Sequence, residues 1–379
     1  MPKIYQRTVR QLAQGLKMSN WPSWLPLRAQ LQPLTPYGAP QVPATARLNT
    51  NENPYGPSKA LAAAISKRIG EIATELNRYP DRDAIALRQG LATFLNKQSG
   101  TSLSVENIWA ANGSNEILQS IFLAFGSSKA LGFVPSYSMH PLISKVTSVE
   151  WVDGARNADF SLDLAGALVQ IAEVKPALTF ITTPNNPTGA AVSLTEIEAL
   201  ASATAKVGGL LIVDEAYAEF SSVDSAITLL DKYSNILVSR TMSKAFAFAG
   251  VRLGYLAANK VVIDALQLVR LPYHLSAITQ AAAEVALEFQ DELLAEVAKL
   301  SSDRDLLVKD LEALGLKVMP SDANFILFTG FKQSAHDLWE ALLAKGVLIR
   351  DVGLAGYLRV TIGNEAENQE FLSALKGLL

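Results

Sequence analysis

The chain has 379 residues, of which 49% are hydrophobic and 18% charged, and its formal net charge is −3. This length allows about two or three domains, and the charge gives no reason to expect nucleic acid or an anionic membrane as a partner. Cysteine is absent, which excludes disulfides, thiolate catalysis and cysteine-based metal sites. The three histidines are far apart in sequence, so no metal site is predicted, and no run of about 18 apolar residues predicts a membrane span.

The N-terminal segment is basic, with six lysine and arginine residues and no Asp or Glu before Glu52. This composition fits either a transit peptide or an N-terminal arm. An arm is favoured because residues 21–43 are rich in Trp, Leu and Pro rather than in Ser. We therefore expect an arm over residues 1–47 and a cytoplasmic protein.

A loop dense in Asn, Pro and Gly follows the arm at residues 48–58, and helices are predicted over 60–76 and 84–96. A short apolar strand over 108–111 then enters a helix over 116–124 through a Gly-Ser-Asn turn. Free backbone amides at such a helix start form a site for an anion. The same pattern also fits an ordinary capped helix.

The next segments alternate between strand and helix. Strands are predicted over 177–182, 209–213 and 236–239, and a capping box of Ser193 and Glu196 opens the helix between the first two. This spacing predicts a parallel sheet covered by helices, in which ligands bind beyond the carboxyl ends of the strands. Asn186, Asp214 and Lys244 each follow a strand, so they should converge on one edge.

The pattern changes beyond residue 276. A long helical region is predicted over 277–314, followed by strands over 316–318 and 324–328, a helix over 336–345, strands over 347–350 and 358–362, and a final helix from about Glu365. Helices on a small antiparallel sheet indicate a separate α+β domain. The predicted division is a large domain over 48–285 and a small C-terminal domain over 286–379.

Lys244 lies among small, hydroxyl and apolar residues, where it can be desolvated and act as a nucleophile towards a carbonyl. Pyridoxal phosphate needs such a lysine for its aldehyde, anion-binding groups for its phosphate and a carboxylate for its ring nitrogen. Asp214, at the end of a buried strand, provides the carboxylate, although a helix cap is the common role of such a residue. The phosphate would be bound by the Gly-Ser-Asn turn together with Thr241, Ser243 and Arg252.

Three further side chains are candidates for the cofactor: Asn186 and Tyr217 for the phenolic oxygen, and Tyr137 for the ring face. Arg350 and Arg359, at the ends of two strands of the small domain, match a carboxylate or a phosphate in geometry. Pairs of arginines on protein surfaces are also common without any such role.

These residues lie in motifs that resemble the fold-type I pyridoxal phosphate aminotransferases, and within them the histidinol-phosphate aminotransferases of the actinobacterial branch. The resemblance extends from about Leu25 to the C-terminus, and its motifs in order are LNTNENPYGP, RYPD, ANGSNE, PSYSMH, TPNNPTG, VDEAYAEF, SRTMSKAFAFAGVRLGY, SDANF, GVLIRD and LRVTIG. It implies the α/β fold of those enzymes, with a large domain of mostly parallel sheet covered by helices and a small α+β C-terminal domain.

The resemblance also implies a role for each residue. Lys244 would form the imine with the cofactor and move a proton between the substrate Cα and the cofactor, with Asp214 and Tyr217 as the other catalytic residues. Tyr55 would reach the cofactor phosphate of the partner subunit, which implies a homodimer. The remaining cofactor contacts would be Ser114, Asn115, Tyr137, Asn186, Thr241, Ser243 and Arg252, and the substrate contacts Tyr37, Asn186, Arg350 and Arg359.

The activity implied is transfer of the amino group between L-histidinol phosphate and 2-oxoglutarate or glutamate, in two half-reactions through the pyridoxamine form of the cofactor. An aromatic amino acid aminotransferase is the main alternative, and a related decarboxylase is a second one. A DNA-binding regulator with an aminotransferase-like domain would need more chain before Leu48 than this sequence has.

Overall fold

The computed structural model describes residues 21–379, and the predicted arm lies outside the described residues over 1–20. Seven strands form the main sheet, in the order β2-β8-β7-β6-β5-β3-β4. Its strands are mostly buried and apolar, which is typical of a sheet covered on both faces. They are β2 (Ile108–Ala111), β3 (Lys129–Val134), β4 (Glu150–Ala155), β5 (Leu178–Thr182), β6 (Leu210–Asp214), β7 (Ile236–Thr241) and β8 (Gly254–Ala258).

All neighbouring pairs in this sheet are parallel except those of β8, which runs antiparallel to both β2 and β7. The predicted mostly parallel sheet is therefore confirmed. Thr182, Asp214 and Ser239 are consecutive partners across β5, β6 and β7. The loops after these strands consequently leave the sheet at the same edge.

Helices pack on the main sheet and link it to the C-terminal part. The predicted start of one of them at the Ser193–Glu196 capping box is confirmed. The helices up to this link are α1 (Lys59–Ile72), α2 (Ile85–Ser99), α3 (Ser114–Phe125), α4 (Met139–Val146), α5 (Leu164–Val174), α6 (Leu194–Lys206), α7 (Lys260–Leu266) and α8 (Ala277–Glu288).

The helical region predicted over 277–314 is confirmed, and it consists of two helices that are separated at Phe289. There α8 ends and α9 (Gln290–Ala313) begins, with Phe289 at φ −98° and ψ 16°. Phe289 packs against the main hydrophobic core. The apolar pattern continues across the break, so the break is attributed to tertiary packing and not to a change in the sequence pattern.

Two strands and two helices between α3 and β5 were not predicted from the sequence. In β3 the strand pattern is interrupted by Gly132, where a side chain would collide with the Trp151 ring of β4. The helix α4 has only eight residues and contains Pro141. Glycine and proline weaken the patterns of strand and helix respectively, and here packing overrides them.

The C-terminal part contains a four-stranded antiparallel sheet in the order β12-β13-β10-β9. The strand predicted over 347–350 is divided in two: β11 pairs in parallel with β1, which precedes the NENPY loop, and β12 pairs with β13. Within residues 21–379, no helix is long and apolar enough to cross a membrane. The remaining elements are β1 (Ala46–Arg47), β9 (Lys317–Val318), β10 (Phe325–Thr329), α10 (Ala335–Ala344), β11 (Val347–Leu348), β12 (Arg350–Asp351), β13 (Leu358–Thr361) and α11 (Glu365–Lys376).

Candidate active site

A cleft of about 340 Å³ lies where the carboxyl edge of the main sheet faces β12 and β13. Every site residue predicted from the sequence lines it except Tyr55. The strand-end loops deliver residues 186, 214 and 244, as expected for a parallel sheet. The predicted residues in the lining are Tyr37, Ser114, Asn115, Tyr137, Asn186, Asp214, Tyr217, Thr241, Ser243, Lys244, Arg252, Arg350 and Arg359.

Lys244 follows β7 and extends into the cleft. Its Nζ donates a hydrogen bond to the Thr50 carbonyl oxygen at 2.8 Å. Burial, and secondarily the positive charge of Arg359, lower the pKa of Lys244 from 10.5 to about 7. A large fraction of this lysine is therefore a neutral amine near pH 7, which is the nucleophilic form.

Asp214 ends β6 and is 2% exposed. One of its carboxylate oxygens, Oδ2, lies 3.0 Å from His140 Nε2. The other, Oδ1, is buried and has no hydrogen-bond partner among the described residues. A buried carboxylate oxygen without a partner is costly, so this atom indicates the place of a ligand group that can donate a hydrogen bond.

The N-terminus of α3 faces the cleft and forms an anion cradle together with Arg252. The helix begins at Ser114, two residues before the predicted start, and no side chain caps it. Gly113 has φ 85°, and a Cβ there would lie 2.5 Å from Arg252 Nη2. Glycine thus lets the guanidinium approach the free amides of Ser114 and Asn115. On the other side, Thr241 Oγ1 donates to Ser243 Oγ at 3.0 Å.

Two partly or fully buried tyrosines, Tyr137 and Tyr217, line the cleft. The Tyr137 hydroxyl donates to Asn115 Oδ1 at 3.2 Å, and its ring meets the His140 ring edge-on at a centroid distance of 5.5 Å. Tyr217 is 4% exposed, and its hydroxyl accepts a hydrogen bond from Asn51 Nδ2 at 2.8 Å. Burial raises the pKa of Tyr217 to about 12, so its hydroxyl keeps its proton at neutral pH.

The two predicted arginines are direct partners on neighbouring antiparallel strands, Arg350 on β12 and Arg359 on β13. Arg359 donates to Asn186 Oδ1 at 2.5 Å and to the Asn49 carbonyl oxygen at 2.9 Å, and its Nε has no partner within residues 21–379. Burial, with Arg350 adding to it, lowers the pKa of Arg359 to about 10. Two close guanidinium groups with an unused donor favour an anionic ligand.

Tyr37 lies at the edge of the cleft, and Tyr55 lies outside it. Tyr37 is 49% exposed and lies at the mouth of the cleft. Tyr55 does not line the cleft of its own chain. Its hydroxyl accepts a hydrogen bond from Lys299 on α9, whose ammonium lies 4.3 Å from the ring centroid.

Sequence reasoning missed two groups in this site. His140 was noted only within the PSYSMH motif, yet it is the side chain that holds Asp214. The residues before the NENPY tyrosine were treated as a loop, although Asn49, Thr50 and Asn51 contact the side chains of Arg359, Lys244 and Tyr217 in turn. The available signal was the density of asparagine in LNTNENPYGP, because buried asparagine needs specific partners.

These residues fit pyridoxal phosphate in three independent respects. A buried, weakly basic amine is present for the aldehyde, and an uncapped helix start with a guanidinium is present for the phosphate. The unpartnered Oδ1 of Asp214 is a carboxylate oxygen suited to a protonated ring nitrogen. Among residues 21–379, no group of three or more His, Cys, Asp or Glu could hold a metal ion.

The aminotransferase class I and II family model matches residues 45–375 of the chain. A histidinol-phosphate aminotransferase from Nocardia farcinica (strain IFM 10152) is 56% identical over 351 residues, covering 92% of this chain and 90% of that protein. One from Mycolicibacterium smegmatis (strain ATCC 700084 / mc(2)155) is 56% identical over 353 residues, 92% of each chain.

Solved structures of that description share the fold. The histidinol-phosphate aminotransferase from Sinorhizobium meliloti, in complex with pyridoxal-5′-phosphate, has a TM-score of 0.81 at 25% identity, covering 93% of this chain and 97% of that one. The one from Clostridium acetobutylicum has a TM-score of 0.78 at 25% identity, covering 88% and 98%. The predicted fold-type I architecture is confirmed. Because the family model matches nearly the whole chain from β1 onwards, this protein belongs to the aminotransferase class I and II family.

Proposed function

We propose that this protein is a histidinol-phosphate aminotransferase of histidine biosynthesis, which uses pyridoxal 5′-phosphate to move the amino group between L-histidinol phosphate and 2-oxoglutarate. The observation that carries this proposal is the position of Lys244. Its amine, with a pKa lowered to about 7 by burial, shares one cleft with the unpartnered Asp214 Oδ1 and the arginine pair. Relatives that are 56% identical over 92% of the chain and bear that name support the choice of substrate.

When bound, the cofactor would supply an aldehyde and a ring that accepts electrons when the substrate Cα–H bond breaks. Lys244 Nζ would bind that aldehyde and, once displaced by the substrate amine, take the proton from Cα. Asp214, held by His140, would keep the ring nitrogen protonated, and Tyr217 and Asn186 would bind the phenolic oxygen. Tyr137 would lie against the ring.

The cradle described above would bind the cofactor phosphate through Ser114, Asn115, Thr241, Ser243 and Arg252. Each substrate carries an anion beside its amino-bearing carbon, the phosphate in histidinol phosphate and the α-carboxylate in glutamate, and a guanidinium fork matches both anions. Arg359 would bind either anion, with Arg350 beside it and Tyr37 at the mouth of the cleft. One anion site can thus receive the donor and the acceptor in turn.

We further propose that the enzyme is a homodimer in which Tyr55 contributes to the site of the partner subunit. The position of Tyr55 outside its own cleft supports this proposal. The domain division at residue 285 and the cytoplasmic location remain predictions.

The proposed function is tested by kcat/KM values for four donors with 2-oxoglutarate: histidinol phosphate, histidinol, phenylalanine and tyrosine. We expect a preference for histidinol phosphate over histidinol of about 100-fold or more, because a buried guanidinium left without its anion is costly. The variant Arg350→Gln should reduce that preference. Turnover of phenylalanine or tyrosine without turnover of histidinol phosphate would contradict the proposal.

A further inference from the structure

A short relay of hydrogen bonds connects β13 to the Tyr217 hydroxyl through Asn51. The backbone N–H of Asn51 donates to Thr361 Oγ1 at 3.0 Å. Thr361 Oγ1 in turn donates to Asn51 Oδ1 at 3.1 Å, and Asn51 Nδ2 donates to the Tyr217 hydroxyl oxygen at 2.8 Å. The three residues are buried, with exposures of 2%, 2% and 4% for Asn51, Thr361 and Tyr217. Water therefore does not compete for these bonds.

The direction of every bond in this relay follows from its first member. A backbone N–H can only donate, so Thr361 Oγ1 accepts there and has its single hydrogen left for Asn51 Oδ1. That bond places Oδ1 of the Asn51 amide towards Thr361 and Nδ2 towards Tyr217, because the opposite orientation would leave the Thr361 hydrogen without an acceptor among the described residues. Because the Tyr217 hydroxyl oxygen accepts from Asn51, its own hydrogen remains available for a bond into the cleft.

The backbone holds Asn51 in place. Its φ of 55° lies in the left-handed region, where asparagine is tolerated better than most residues. Its carbonyl oxygen accepts from Asn324 Nδ2 at 3.2 Å, so the peptide units on both sides are fixed. The adjacent carbonyl oxygens of Asn49 and Thr50 hold Arg359 and Lys244. Asn51 thus belongs to a segment that positions three functional side chains.

We propose that Asn51 and Thr361 are positioning residues that direct the Tyr217 hydroxyl proton into the cleft. The inference rests on the proposed function, in which Tyr217 donates to the phenolic oxygen of the cofactor. A donor at that oxygen stabilises its negative charge and so lowers the pH at which the neighbouring cofactor–lysine bond loses its proton. The relay sets the strength of this effect because it allows the hydroxyl only one direction of donation.

The test is the pH midpoint of the visible absorption change of the protein loaded with pyridoxal phosphate. The variant Asn51→Asp keeps the size of the side chain and tolerates the same backbone, but an ionised carboxylate only accepts hydrogen bonds. The Tyr217 hydrogen should then turn towards position 51, and the midpoint should rise by about 1 pH unit, as expected for the loss of one hydrogen bond. Tyr217→Phe should give the same rise.

Three further variants separate the relay from a merely structural role. Thr361→Ser retains the hydroxyl and should leave the midpoint unchanged, whereas Thr361→Val frees the Asn51 amide and should raise it. Asn51→Gly fits the left-handed backbone without a side chain and should give a smaller rise than Asn51→Asp. These variants also provide the test if Asn51→Asp does not fold. The charged and phenolic groups that face Tyr217 are the same in the Thr361 and Asn51→Gly variants, and Asn51→Asp alone adds a charge to them; they are Arg359, Asp214, Lys244, Tyr37 and Tyr137.

In the Tyr217→Phe background, Asn51→Asp should cause a smaller shift than in the unaltered protein, since only its added charge acts and no hydroxyl is left to redirect. An unchanged midpoint for Asn51→Asp, or an equal shift with and without the Tyr217 hydroxyl, would overturn the relay and leave the proposed function intact. If the unaltered protein developed no visible absorption with pyridoxal phosphate, the proposed function would fail and the relay with it.

Discussion

At the scale of single residues, burial decides what Lys244 can do. Most lysines are charged at neutral pH and cannot attack a carbonyl, but the pKa of Lys244 is lowered to about 7, chiefly by burial. Below this pH the amine is protonated, and above it the amine is free. The burial and the charge of Arg359 come from residues distant in sequence, which no local pattern around Lys244 reveals.

The attachment of pyridoxal phosphate to the cofactor-free protein should follow this titration. We expect its rate to rise about tenfold per pH unit below pH 7 and to level off above it, because only the neutral amine reacts. The measurement is the growth of visible absorption after mixing, over a range of pH. Lys244→Ala should abolish both the absorption and turnover, while Lys129→Ala, a lysine at the surface, should change neither. Retention of both by Lys244→Ala would refute the assignment.

At the scale of elements, the catalytic edge could be predicted because it depends on strand direction alone. Asn186, Asp214 and Lys244 each follow an apolar strand, and parallel strands bring such loops together. The break at Phe289 and the contacts of Asn51 could not be predicted. Tertiary packing determines the break at Phe289. The contacts of Asn51 join residues 310 positions apart in sequence, and they depend on a left-handed backbone conformation that asparagine tolerates but does not require.

Buried charges also join the loop after β6 to strand β7. Arg240 binds Glu215 at 2.8 Å and Glu219 at 3.0 Å, and the three side chains are 5% exposed or less. Although burial opposes its charge, the two carboxylates hold the pKa of Arg240 above its usual range. This cluster therefore connects the loop that follows Asp214 and carries Tyr217 to the strand that leads to Lys244.

Removal of the guanidinium should cost much more than removal of a surface charge. We expect Arg240→Met to lower the free energy of unfolding by about 3–5 kcal/mol, because it leaves two carboxylates buried without the guanidinium that balances their charge. Lys129→Met, which breaks an exposed pair with Glu150, should lower it by less than about 1 kcal/mol. Urea denaturation followed by circular dichroism measures both values. An equal decrease in the free energy of unfolding for the two variants would show that the cluster does not hold this loop against β7.

At the scale of the whole molecule, the proposed homodimer would share each site between two chains. Lys244 and Asp214 line the cleft of their own chain, whereas Tyr55 does not and would complete the cleft of the partner subunit. A mixture of two inactive variants can then regain activity, because hybrid dimers contain one intact site. In a hybrid of Lys244→Ala and Tyr55→Ala, one site carries both changes and the other carries neither.

Mixing the Lys244→Ala and Tyr55→Ala proteins under conditions that exchange subunits should therefore restore activity. If the chains re-pair at random, half of the dimers are hybrids with one intact site each, so we expect about a quarter of the unaltered activity. Lys244→Ala mixed with Asp214→Ala is the matched control: both residues belong to the same cleft, so each hybrid site has one defect and no activity should return. Tyr55 acting within its own chain would give the same result for both mixtures, since every hybrid site would again carry one defect.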